Sequence, residues 1–121
     1  GTHANLLKGL SDAVGAFMND IKLLGLEDRV IGMTFSEFGR RVSQNASNGT
    51  DHGTANNMFL VSGGLKQKGV LNAMPDLADL NEGDLKYNVD FKNVYATILN
   101  KWLKADDKAI LTKQYEYLNF I

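Results

Sequence analysis

The chain has 121 residues, 44% of them apolar and 22% charged, a composition that suits one compact soluble domain with a single core and excludes a disordered chain. Thirteen Lys and Arg against fourteen Asp and Glu leave a net charge of -1, with basic residues scattered apart from Arg40 and Arg41, which argues against nucleic acid as a partner. Cysteine is absent, so disulfides and thiolate metal sites are excluded, and no apolar run reaches the roughly 20 residues that span a bilayer.

From Asn5 to Leu24 the apolar residues Leu6, Leu7, Leu10, Ala13, Val14, Phe17, Ile21 and Leu24 recur at steps of three and four. That spacing predicts a helix with one buried face, closed by Gly25, the residue that most readily turns left-handed. After it, "RVIGMTFS" carries Val30, Ile31, Met33 and Phe35 in a nearly continuous apolar run, and "NMFLVSGG" (Asn57 to Gly64) has the same character. Strands with apolar residues on both faces belong inside a sheet covered by helices, so the expected fold is α/β, a short, mostly parallel sheet flanked by helices.

Between these two strands lie some twenty residues, "EFGRRVSQNASNGTDHGTAN", poor in apolar side chains. They read as a long loop leaving the carboxyl end of a strand, where open α/β sheets gather ligands. Downstream, "LKQKGVLNAMPDLADLNEGDLKYNV" reads as turns with a small hairpin. Asp90 then offers a cap for "FKNVYATILNKWLK", where Phe91, Val94, Tyr95, Ile98, Leu99, Trp102 and Leu103 mark one helical face. The tail adds a short helix and an aromatic segment docked on the body.

The polar groups with chemical capacity are few: His3, Ser36 with Glu37 at the end of the first strand, and Asp51 with His52 before the second. Parallel neighbours bring the last two pairs together. Imidazoles and a carboxylate at strand ends outline an oxygen-and-nitrogen site for a divalent metal ion, which polarises an ester oxygen or acidifies bound water. The alternative is structural, with Thr50 and Asp51 making turn hydrogen bonds and His52 packing on its own loop. Arg40 and Arg41 either clamp an anion or stay solvated and bridge to acids. Gly63-Gly64 is a tight turn, and no nucleophile elbow, phosphate loop or dinucleotide fingerprint occurs.

The segments "THANLLKGLSDAVGAFMNDIK", "RVIGMTFSEFGRRVSQNASNGTDHGTANNMFLVSGG" and "DLADLNEGDLKYNVDFKNVYATILNKWL" together resemble the C-terminal part of the bacterial domain-of-unknown-function family 1501, over nearly the whole chain to about Leu103. That family is grouped with the alkaline phosphatase and sulfatase superfamily. The resemblance implies an alkaline phosphatase-like fold, of which residues 1-121 are one domain-sized portion. In the superfamily a strand ends in Thr-x-Asp-His-Gly, whose Asp and His bind metal. Here Ser36, Glu37 and Phe38 stand at that place, leaving Glu37 as a ligand and Phe38 as none. "TDHGT" resembles the segment bearing a later metal-binding histidine, so the resemblance implies that His52 faces a metal or anion pocket. His3 resembles the histidine of an Asp-Thr-His element, with Gly1 where the Asp should be.

The resemblance further implies that the nucleophile and other acidic ligands come from an N-terminal half outside this chain, which alone is inactive. The expected function is thus the C-terminal portion of a metal-dependent hydrolase acting on a small anionic phosphate or sulfate ester. His52, Glu37 and His3 are its metal ligands, and Asp51, Ser36, Arg40 and Arg41 are supporting or anion contacts. The alternative is a non-catalytic exported binding or envelope-associated module that keeps the scaffold. Family members commonly carry a twin-arginine leader, implying a periplasmic or exported parent. Incomplete strand edges and faces predict self-association.

Overall fold

The structure, a computed structural model, describes residues 1–121, which divide into two compact units. It is an α/β chain of three α-helices and three two-stranded sheets.

The first unit comprises Gly1–Thr34 and Phe59–Leu65. Its helix α1 (Thr2–Leu23) follows the three-and-four spacing of its apolar residues, and Lys8 pairs with Asp12 one turn on. The helix ends where Leu24 N–H donates to Asp20 O and Gly25 N–H to Lys22 O, with Gly25 at φ +66°. No residue of α1 is buried: Val14, Met18 and Ile21 are half-buried, while Leu6 is 68% exposed and Phe17 49%. The buried face expected of this helix is therefore largely uncovered. Periodicity aligns side chains on one side of a helix, but only a facing layer removes them from water.

After the short turn Glu27–Arg29, strand β1 (Gly32–Met33) pairs with a later strand, Leu60–Val61, with Gly32 opposite Val61 and Met33 opposite Leu60. Thr34 extends the pair, its N–H donating to Phe59 O at 3.0 Å while its Oγ1 accepts from Phe59 N–H at 2.8 Å. The pairing is antiparallel, which corrects the parallel sheet expected of these segments. Parallel neighbours need a crossover that returns the chain to its starting end, usually a helix, whereas the residues between these strands contain a β-hairpin and no helix. Gly32 lets this pair close tightly, because a Cβ would lie 2.8 Å from Val61 Cγ2 and the valine side chain would have to shift.

The second unit comprises Phe35–Met58 and Lys66–Ile121. The presumed long loop is in fact a hairpin of β2 (Gly39–Gln44) and β3 (Thr50–Gly53), antiparallel, with Gly39 opposite Gly53 and Arg40 opposite His52. The register slips between Arg40 and Gln44, a local bulge. Its tip is held by Asn45, whose Oδ1 accepts from the N–H groups of Ser47 and Gly49, with Asn48 in the left-handed region at φ +58°. With Leu60–Val61 as β4, the small hairpin expected downstream is β5 (Leu80–Asn81) and β6 (Asp84–Leu85). Its two-residue turn, Glu82-Gly83, has both φ values positive, the conformation that matches the twist of paired strands.

Asp90 caps α2 (Phe91–Thr97), its side chain accepting from Lys92 N–H at 2.9 Å. The helix continues as a π-turn over Ile98–Trp102, and Asp106 caps α3 (Asp107–Leu111). This unit holds the buried core: Val94, Ala96 and Thr97 from α2, Asp107 from α3 and Phe120 from the tail. Thr97 Oγ1 donates to Asn93 O and accepts from Leu118 N–H at 2.8 Å, while Asp107 Oδ1 accepts from Asn100 Nδ2 at 3.0 Å and Tyr117 OH at 2.9 Å. These bonds and the one from Lys66 N–H to Phe120 O dock the aromatic tail as expected.

Candidate functional site

Four of the candidate residues, Arg40, Arg41, Asp51 and His52, lie on β2 and β3, and two glycines determine how closely these strands approach. A Cβ on Gly39 would sit 1.6 Å from Ala55 O, and one on Gly53 would sit 2.9 Å from the carbonyl carbon of Arg40. With no side chain at either position the backbones close together. Ser36 Oγ donates to Phe38 O at 2.8 Å and fixes the approach to the hairpin.

The closure brings three side chains together on one face. The Phe38 ring lies parallel to the imidazole of His52, centroids 3.5 Å apart and planes within 12°. The guanidinium of Arg40, directly across the ladder from His52, is 5.2 Å from the Phe38 ring centre. Arg40 Nη1 donates to Thr50 O at 2.8 Å, which anchors the guanidinium and leaves its other N–H groups unengaged. His52 is exposed, and neither of its ring nitrogens bonds to the protein.

The remaining candidates do other things. Arg41 Nε donates to Asp84 Oδ1 at 3.0 Å and so ties β2 to β6, one of the two alternatives the sequence left open for the arginines. Asp51 accepts from Asn45 Nδ2 at 2.9 Å, as in the structural alternative. Glu37 is exposed and forms no ion pair, and His3 lies exposed in the first turn of α1, in the other unit. Beyond β3, Thr54 Oγ1 donates to Leu85 O beside a shallow cleft lined by Thr54, Asn81, Leu85, Lys86 and Tyr87.

The chain matches the family model described as "Protein of unknown function (DUF1501)" over residues 1–116. It belongs to the DUF1501 family. No curated protein and no solved structure matches it.

For this DUF1501 chain the fit to a metal ion is decided by what surrounds His52. One face of its imidazole is covered by a hydrocarbon ring and its cross-strand neighbour is a cation. Within the unit that carries Glu37 and His52, no three His, Asp or Glu side chains form a group able to hold a metal ion. The donors of this unit do not by themselves fit a metal centre, and no chemical step is routed through one. Sequence reasoning passed over Phe38, dismissed because it cannot ligate, although it is the residue that meets His52. The available signal was Asn48-Gly49, a turn dipeptide that points to an antiparallel hairpin in this segment but not to the bulged register that joins positions 38, 40 and 52.

Proposed function

We propose that this chain is the C-terminal, ligand-handling portion of an alkaline phosphatase-like hydrolase of phosphate or sulfate esters, inactive by itself. The observation that supports the reading is the pairing of Arg40 with His52 on one exposed hairpin face, two nitrogen donors suited to an ester's anionic oxygens. Glu37 and His52 are the donors the second unit offers to a divalent metal in the parent, with further ligands and the nucleophile contributed from outside this unit. A periplasmic or exported location belongs to the same proposal. The test is to purify the longer parent protein, measure its divalent metal content and assay an aryl phosphate and an aryl sulfate. Stoichiometric metal with chelator-sensitive hydrolysis is the expected result, and a well-folded, metal-free, inactive parent refutes it.

A second reading, a non-catalytic binding or envelope-associated module on the same scaffold, is favoured by Phe38. Where the superfamily pattern has a metal-binding imidazole, this chain has a ring stacked on His52. His52→Ala separates the two readings: the hydrolase loses metal, whereas the binding module keeps its composition and changes only at the hairpin.

A further inference from the structure

Asn48 is the only asparagine of this chain followed by a glycine, and both residues are exposed at the tip of the β2–β3 hairpin. Such a pair carries its own reagents. The backbone nitrogen of Gly49 is a nucleophile one residue from the side-chain carbonyl carbon of Asn48, and a glycine puts no Cβ in the way of the attack. In the closed turn both reagents are engaged. Gly49 N–H donates to Asn45 Oδ1 and Asn48 Oδ1 accepts from Gln44 Nε2, each at 3.1 Å. Asn45 holds the turn at further points: its Oδ1 accepts from Ser47 N–H, its O accepts from Asn48 N–H, and its own N–H donates to Gly49 O at 2.9 Å. These bonds all lie within residues 44–49, none of which is buried, so they can open together without disturbing the core around Thr97.

We propose that Asn48 is a site of spontaneous deamidation, and that the Asn45 side chain is the latch that sets its rate. With the latch open, the Gly49 nitrogen loses its proton to hydroxide and bonds to Asn48 Cγ, the Cγ–Nδ2 bond breaks, and ammonia leaves. The resulting cyclic imide then takes up a water. Opening at Cγ gives an ordinary aspartate, and opening at the backbone carbonyl gives an isoaspartate whose chain runs through Cβ and Cγ. Water is consumed, ammonia is released and no oxidation state changes. The isoaspartyl product lengthens the backbone inside the turn, which displaces Gly49 O from Asn45 N–H and Thr50 from its pairing with Gln44. Thr50 O is the acceptor of Arg40 Nη1, so the guanidinium loses its anchor as the tip ages.

The experiment is incubation of the 121-residue chain at mildly alkaline pH, followed by peptide mapping that places each amide converted to an acid and separates the aspartyl from the isoaspartyl product. Conversion is expected at Asn48 ahead of every other asparagine, and hydrogen exchange at the Asn45 amide should rise in the aged chain. Asn45→Ala removes the acceptor for Ser47 and Gly49 and should raise the rate by about threefold to tenfold, with exchange at the Gly49 amide rising in step. Gly49→Ala has room, its Cβ meeting Asn45 Oδ1 at 3.7 Å, and should suppress the product. Thr97→Val weakens the core and not the tip, so it should leave the rate unchanged.

Four results overturn the proposal: earlier conversion at another asparagine, an unchanged rate in Asn45→Ala, undiminished product in Gly49→Ala, or acceleration by Thr97→Val as large as that by Asn45→Ala. The last would place the reaction in the unfolded chain and not in an opened turn.

Discussion

Arg41 and Asp84 are 43 residues apart in sequence, yet Arg41 Nε donates to Asp84 Oδ1 at 3.0 Å and joins the long hairpin to the short one. Gly83, in the short hairpin's turn, lies against the same guanidinium, with room for a Cβ only 3.4 Å from Nη1. The arginine thus has one strand-bound carboxylate and one backbone surface to rest on.

Arg41 is 41% exposed, so water and salt screen this pair. A double-mutant cycle of Arg41→Gln and Asp84→Asn should give a coupling of about 0.5 to 1 kcal/mol in urea unfolding at low salt. It should shrink towards zero as salt approaches about 1 M. A coupling above about 2 kcal/mol would show that the pair is shielded from solvent.

Gly39→Ala places a methyl group where Ala55 O already sits. Overpacking against backbone has no flexible side chain to absorb it, so the cost should reach about 3 kcal/mol or more. The parallel stack of Phe38 on His52 should disappear with it, visible as loss of the ring-current shift of the imidazole protons. Gly25→Ala is the contrast: nothing lies within 4 Å of its Cβ, and only the positive φ resists it, at a cost of about 1 kcal/mol.

Thr97 is fully buried, and its hydroxyl both donates to Asn93 O and accepts from Leu118 N–H. Thr97→Val keeps the shape and leaves the Leu118 amide without its acceptor, so it should destabilise by about 1 to 3 kcal/mol. Hydrogen exchange at the Leu118 amide should accelerate more than at amides of α2. Equal acceleration throughout would mean that the tail is not held by this hydroxyl.

Asp107 is 3% exposed, and its Oδ1 accepts from Asn100 and Tyr117, while Oδ2 has no protein donor. Tyr117→Phe removes one donor and should cost about 1 to 2 kcal/mol. Asp107→Ala strands both donors and leaves a void, and should cost more, about 2 to 4 kcal/mol. Thermal melts of the two variants, ranked in that order, check the arrangement.

Much of this chain is legible in its sequence because the signals are local. The spacing from Leu6 to Leu24 is enough for a helix, and Gly25 for its end, since backbone hydrogen bonds and a left-handed residue act within a few positions. Asp90 likewise caps α2 through its own neighbour, Lys92. The short hairpin was legible only as a hairpin somewhere in a turn-rich stretch, because Glu82 takes a positive φ that its residue type disfavours. Tertiary structure decided what depends on distant partners. The apolar runs around Met33 and Leu60 look the same whether their strands run parallel or antiparallel, and only the path of the intervening chain selects the antiparallel pair. The candidate site is the sharpest case. Residue types at 37, 40 and 52 suggested a carboxylate beside an imidazole, but the register across Gly39 and Gly53 determines which side chains share a face, and it places an aromatic ring and a guanidinium there. Register is a property of two strands at once, with a side-chain period of two, so a shift of one residue changes every contact, and no single strand's sequence specifies it.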